Sequence, residues 1–204
     1  MSTSTRPSSQ GRREYHHGDL RAALLREAGK LLEKEGLAAL TLRALTRRAG
    51  VSHAAPYRHF ADREALLAAL AAEGFRMLGE AQREAAEARG LRGLGEAYVR
   101  FALAHPRRFR LMFGGDVRID RHPELREVAR RTFETLSGAL ASRVPSAPGA
   151  RDASLAAWAL VHGLAQLLME GRIEAAALAG RTADAFVSEV LGAVRFAAGP
   201  AQSA

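Results

Sequence analysis

Residues 41–60 read Thr41-Leu-Arg-Ala-Leu-Thr-Arg-Arg-Ala-Gly50-Val-Ser-His-Ala-Ala-Pro-Tyr-Arg-His-Phe60. Thr41 is a capping residue ahead of a short helix ending at Ala49. Gly50 tolerates the left-handed backbone that a tight turn requires. Ser52 then caps a further helix reaching about His59. Leu45 gives the first helix an apolar residue facing the body. Ala49 and Gly50 are small enough for the helices to cross, and Val51 packs inward. Helix, glycine turn, helix is the sequence form of a helix-turn-helix, which sets its second helix in the major groove of DNA.

Outward from this stretch the chain continues as helices. Asp19 caps one running to about Glu35, with Leu20, Leu24, Ala28, Leu31 and Leu32 at helical spacing and Gly36 just past its end. Asp62 caps a fourth helix to about Ala88. Gly90, Gly93 and Gly95 mark a break before a fifth helix at about 94–104. His105-Pro106 and His122-Pro123 each place a proline at a first helical position. The second opens an amphipathic helix, with Leu125, Val128, Ala129, Thr132, Phe133, Leu136 and Leu140 on one face. Residues 144–149 read as a loop, and the last two helices fall at about 152–170 and 182–197. Good helix formers dominate and β-branched residues never run together. The expected fold is all-α with about nine helices. A helix-turn-helix domain spans 16–62 and a larger helical domain 63–198. A disordered basic arm at 1–15 and a flexible tail at 199–204 flank them.

Charge and composition limit the function. The 204 residues carry a net charge of +8. The first 63 hold 12 Lys/Arg against 6 Asp/Glu, and the remainder hold 18 against 16. A basic N-terminal third on a nearly balanced body is the footprint of a nucleic-acid module, although a basic solvated surface has the same charge. The absence of cysteine excludes disulfides, thiolate metal sites and cysteine nucleophiles, and it fits a reducing cytoplasm. No apolar run approaches the roughly 20 residues needed to cross a bilayer. No P-loop, dinucleotide-binding glycine motif, nucleophile elbow or metal-ligating histidine pair is present. No enzyme, cofactor or metal is expected.

Four motifs closely resemble the DNA-binding region of the TetR family of bacterial transcriptional regulators. They are Leu-Thr-Leu-Arg at 40–43, Ala-Gly-Val-Ser at 49–52, Tyr-Arg-His-Phe at 57–60 and Asp-Arg-Glu-Ala-Leu at 62–66. Tyr15 to Arg21 resembles the entry sequence of one branch. Trp158 with His162-Gly163 resembles that branch's WHG-type C-terminal domain. The resemblance implies DNA contacts by Thr41 and Arg43 at the start of the second helix. It places His53, Ala54 and Ala55 on the groove floor, and Tyr57, His59 and Arg63 on backbone phosphates. Ser52, at a helix N-terminus, suits a phosphate as well. Ala54 and Ala55 carry no hydrogen-bonding code, so base reading falls to Arg43, Ser52 and His53, with DNA shape adding more. Arg47 and Arg48 read as a solvated face. Thr46 and Arg63 stand where the family more commonly has Ala and Lys.

The helix around Trp158 is apolar nearly all round and must be buried on every side. The resemblance implies that it forms a four-helix dimer interface with the last helix and their copies. Leu160, Leu164, Leu167, Leu168, Phe186, Val187, Val190, Leu191 and Val194 would lie in that interface. The resemblance also implies an apolar ligand pocket, for which the candidates are Phe75, Leu78, Phe101, Phe109, Met112, Phe113, Phe133 and Trp158. His162 and Gln166 are the polar candidates. Ordinary core packing is the alternative for each.

The expected function is a homodimeric, ligand-responsive transcriptional regulator, a repressor. It would bind a palindromic double-stranded operator and be released by a small, largely apolar effector. It would be cytoplasmic, with no membrane partner and nucleoid-associated when bound. Two alternatives stay open: an architectural DNA-binding protein that senses nothing, and a helical small-molecule binder without operator recognition.

Overall fold

The computed structural model describes residues 17–141, 147–173 and 178–194. The expected arm at 1–15, the Tyr15-His16 part of the entry sequence and everything beyond 194 lie outside these residues. Helix α1 (His17–Glu35) starts two residues before Asp19, which therefore sits in its first turn and not at its cap. Its Leu24, Ala28, Leu31 and Leu32 are buried, as their spacing predicts. Helix α2 (Leu42–Ala49) follows, after a single 3₁₀ turn at Leu37–Ala39.

Helix α3 (Arg63–Ala104) replaces the expected fourth and fifth helices. Only Gly90 breaks it, at φ 58 and ψ −143. The chain bends there and returns to helix at once, so Gly93 and Gly95 are helical. Gly93 lies so close to Ala85 that a Cβ would sit 2.1 Å from the Ala85 carbonyl oxygen. A glycine here permits the two arms of the bend to touch.

Helices α4 (Pro106–Phe113) and α5 (Pro123–Ala141) both start on their prolines, as expected. Helix α6 (Ala147–Met169) begins inside the stretch read as a loop. Proline and glycine at 148 and 149 fall in its first turn, where backbone N–H groups lack helical partners anyway. Thr182 caps α7 (Ala183–Ala193) by accepting the Ala185 N–H. The seven described α-helices fall short of nine because two merged into α3 and one is not α-helical.

The main core joins the two ends of the described residues, and a smaller cluster holds Leu136, Leu140 and Ala157. Leu45 and Phe60 near the N-terminus connect through Leu66, Leu70, Phe75 and Leu78 to Tyr98, Phe109 and Val161. The stretch Gly149–Met169 of α6 is, by length and composition, apolar enough to cross a membrane, contrary to the sequence expectation. Its Ser154, Ala157, Val161, Leu164 and Ala165 pack inward, as in a core helix. It is not buried all round: Leu155 is 55% and Leu167 47% exposed.

Candidate functional site

The N-terminal site starts from two caps. Thr41 Oγ1 accepts the Ala44 N–H at 3.1 Å, opening α2. Gly50 closes it in the left-handed region, at φ 65 and ψ 28. Thr46, buried at the helix crossing, donates its hydroxyl to the Arg43 carbonyl at 2.8 Å. A threonine therefore fits the tight slot by bonding back to its own helix.

The segment expected to be the recognition helix is not α-helical. Residues 53–55 form a turn and Pro56–Arg58 a single 3₁₀ turn, whose cap residue Ala55 has no side-chain bond. Pro56 explains this. An α-helix would use the N–H of residue 56 to bond the Ser52 carbonyl, and proline has none. That carbonyl instead accepts the Ala55 N–H at 3.0 Å, and the tighter pattern repeats from His59 to Pro56. Ser52 thus contributes its carbonyl where its hydroxyl was expected to cap. Buried Pro56 and Phe60 pin the segment from below, and the Arg21 guanidinium lies 5.6 Å from the Phe60 ring centroid.

Above this base, Thr41, Arg43, Ser52, His53, Ala54 and Tyr57 are exposed, and Ala55 is half-buried. Tyr57 is 51% exposed, unusual for a large ring, and stacks at 10° on His53. Arg47 and Arg58 add exposed charge, while Arg48 pairs with Glu35 at 2.8 Å. Two residues depart from their expected positions. His59 is half-buried with an enclosed, unpartnered Nε2, in a small cleft shared with Arg21, His122 and Glu124. Arg63 donates from Nε to the Leu40 carbonyl and from Nη2 to the Leu37 carbonyl, both at 2.8 Å. It ties α3 to the loop before α2. Lysine has one donor centre and cannot span both carbonyls as this fork does.

The second site is a cavity of about 960 Å³ between α3, α5, α6 and α7, at the upper end of ordinary ligand pockets. Phe75, Leu78, Met112, Phe113, Phe133 and Trp158, all candidates for a ligand pocket, line it. Phe101, Phe109, His162 and Gln166 do not; Phe109 and His162 pack behind the wall, against Tyr98 and Phe113. Leu160, Leu191 and Val194, expected in a dimer interface, line the cavity. Leu164 and Val187 are buried within the protomer, so neither is available to a partner.

Sequence reasoning missed Tyr98. Its hydroxyl accepts the Trp158 Nε1–H at 3.2 Å and stands 2.8 Å from His162 Nδ1. Burial pushes the Tyr98 phenol above its ordinary range and holds His162 below its own. Tyr98 and Trp158 in the wall and His162 behind it form a neutral network. Among the described residues no three His, Cys, Asp or Glu side chains converge as metal ligands.

A helical head built on a glycine-turn motif, joined to a helical body around a large apolar cavity, defines a two-part helix-turn-helix regulator. Residues 24–70 match the family model for bacterial regulatory proteins of the tetR family, and residues 91–194 match a tetracyclin repressor-like C-terminal domain. The chain belongs to the TetR family: it is a DNA-binding transcriptional regulator and not an enzyme. A protein of unknown function from Rhodococcus sp. RHA1 is 36% identical, with 88% of this chain and 95% of that one covered at a TM-score of 0.74. The multidrug binding protein EbrR, complexed with imidazole, is 24% identical over 89% of this chain and 97% of its own, at 0.56. The TetR family transcriptional regulator PfmR from Thermus thermophilus is 22% identical over 83% and 94%, at 0.57. The last two show the fold alone. No curated protein matches.

Proposed function

We propose that the chain is a homodimeric repressor of a palindromic operator, released when a small, largely apolar effector occupies the cavity. The observation that carries this is the cavity itself, with its wall on the same helix, α3, that Arg63 bolts to the DNA-binding head. In this reading residues 16–62 are the head and 63–198 the sensor and dimer module. Arg43, Ser52 and His53 read bases, Ala54 and Ala55 approach the groove floor, and Thr41 and Tyr57 hold phosphates. Arg63 stiffens the head and turns its remaining donors to a phosphate, and His59 reaches one only if its ring turns outward. Exposed Leu167, with Leu160, Leu168, Phe186 and Val190, supports pairing with a second copy. Two heads about 34–36 Å apart would read the two half-sites, and a ligand that tilts them would break that spacing. The protein would act in the cytoplasm, on the nucleoid when bound.

The test is binding to DNA upstream of its own coding region across a salt series. Tyr57→Phe, which removes only the hydroxyl, and Arg43→Ala should each weaken binding, with the salt slope falling by about one for the arginine. Equal affinity for upstream and random DNA would favour the architectural alternative. Unchanged binding and slope in both variants would refute the assignment of this face.

A further inference from the structure

The cavity wall holds one buried polar group that the protein leaves unbonded. Gln82, on α3, is 4% exposed, and its Oε1 is enclosed without a hydrogen-bond partner. The same side chain lines the cavity. Buried orphan acceptors are rare in folded proteins, and each calls for an explanation.

The other polar side chains of the wall have partners. Thr132 bonds the carbonyls of Phe75 and Val128 at 3.1 and 3.0 Å. The Tyr98 hydroxyl is held between Trp158 and His162. Half-exposed Arg92 donates to Glu96 at 3.2 Å and to the Ser188 carbonyl at 2.7 Å. Among the described residues, Arg92 is also the only charged one on the wall. Glu96, nearby but off the wall, is neutralised by Arg89 and Arg92 and accepts the Ser188 hydroxyl. A cation entering the cavity would meet no free carboxylate and an arginine. A carboxylate would be drawn towards Arg92, which is half in solvent and already bonded. Apart from Gln82, Arg92, Thr132 and the Tyr98 hydroxyl, the lining is aromatic, aliphatic or glycine.

Resting on the reading of this cavity as the effector site, we infer that its ligand is a neutral, mostly apolar polycyclic molecule whose hydroxyl or amide N–H donates to Gln82 Oε1. Either group supplies the donor that this acceptor lacks. The flat ring faces of Phe113, Phe133 and Trp158 suit an aromatic or alicyclic skeleton, and the volume admits several fused rings.

Three pyrene probes test this on the full-length protein: 1-pyrenemethanol (neutral), 1-pyrenemethylamine (a cation at pH 7) and 1-pyrenecarboxylic acid (an anion). Trp158 is the chain's only tryptophan and lies in the wall, so its quenching reports occupancy of this site. The alcohol should bind at least about tenfold more tightly than either charged probe. Gln82→Leu should weaken the alcohol about tenfold, the effect of one buried hydrogen bond, and leave the others unchanged. Gln82→Glu should raise the affinity for the ammonium by supplying the missing carboxylate. Circular dichroism checks that each variant is folded, and should one fail, the other with the native probe series still decides. A charged probe binding as tightly as the alcohol, or an alcohol indifferent to Gln82→Leu, overturns the inference while leaving the cavity a ligand site. No quenching by any probe overturns the effector reading, and this inference falls with it.

Discussion

Gly29→Ala in α1 sets two effects of opposite sign against each other. Alanine is the better helix former, worth about 1 kcal/mol at an interior helical position. On propensity alone the substitution stabilises. In the structure, a Cβ at position 29 would lie 2.3 Å from Arg108 Nη2. Arg108 reaches from α4 through a slot formed by Gly29 on α1 and Gly74 on α3, where a second Cβ would meet Met112 Sδ at 2.6 Å. It is 7% exposed and pairs with Glu73 at 3.1 Å. The guanidinium cannot stay where it is if residue 29 gains a methyl group. Breaking a buried pair costs about 3–5 kcal/mol, and the partly exposed Glu73 puts this pair near or below the low end of that range. Set against the helix gain, the net loss is about 1–2 kcal/mol, or roughly 3–6 °C in Tm for a chain of this size. Urea and thermal unfolding measure it. Arg108→Met should remove the clash, so the alanine should stabilise in that background. A Gly29→Ala protein as stable as the native one, or the same effect in both backgrounds, would refute the argument.

Three further outcomes follow from the geometry. Gln82→Leu should raise ligand-free stability by about 1 kcal/mol because an enclosed acceptor without a partner is removed; a loss in the unfolding titration would mean that the amide is bonded after all. His162, held below its ordinary value of 6.5 by burial, binds a proton less readily folded than unfolded. Its contribution to stability is therefore complete above that value and declines as the pH falls below it. Tm should drop from pH 7 to pH 5, and His162→Asn should flatten that dependence; an identical slope would argue against the neutral network. Pro56→Ala restores an N–H able to bond the Ser52 carbonyl, so the turn should relax towards an α-helix. Slow hydrogen exchange at the new amide would show this, whereas a fast-exchanging amide would mean that proline is not what tightens the segment.

Local rules carry the reading wherever one residue decides the backbone. Thr41 and Asp62 cap their helices, Gly50 is left-handed, and Pro106 and Pro123 open theirs. The rules fail where two effects compete. Pro56 reads as tolerable in a first turn, but it lies four residues after the carbonyl that needs an N–H. Three glycines after residue 89 suggest a loop, but only Gly90 leaves helical geometry and the others permit close packing. Periodicity identifies buried aromatics without saying which side of a crowded layer each faces, so Phe101 and Phe109 fall on the wrong side of the wall. Gln82 sits in sequence among Arg and Glu residues, and no local pattern marks it as buried. Arg108 sits in the basic run Pro-Arg-Arg-Phe-Arg, and nothing in that run marks it as buried either. Only the glycines on two distant helices could have signalled its burial, and nothing local pairs them with it.

The two sites meet in α4, which has eight residues and two roles. Its N-terminus is held by α1: the Glu33 carboxylate accepts the Arg108 N–H at 3.0 Å, and Arg107 donates to the Glu33 carbonyl at 2.8 Å. The carboxylate satisfies a helix end whose own cap residue, His105, supplies no side-chain bond. One turn beyond Arg108, Met112 and Phe113 face the cavity. Helix α5 also touches both regions, through Glu124 to Arg21 and Arg76, while His122 just before it reaches Glu64 at 3.3 Å. Those pairs are largely exposed, and such pairs contribute about 0–1 kcal/mol each. The α4 link is buried and walled by Gly29 and Gly74. If an effector fills the cavity, displacement of Met112 acts on the turn that carries Arg108, while the α5 pairs can slip in solvent. Beside α3, which runs from Arg63 into the cavity wall, α4 is therefore a second stiff connection between cavity and head, and the two glycines determine how little it can give.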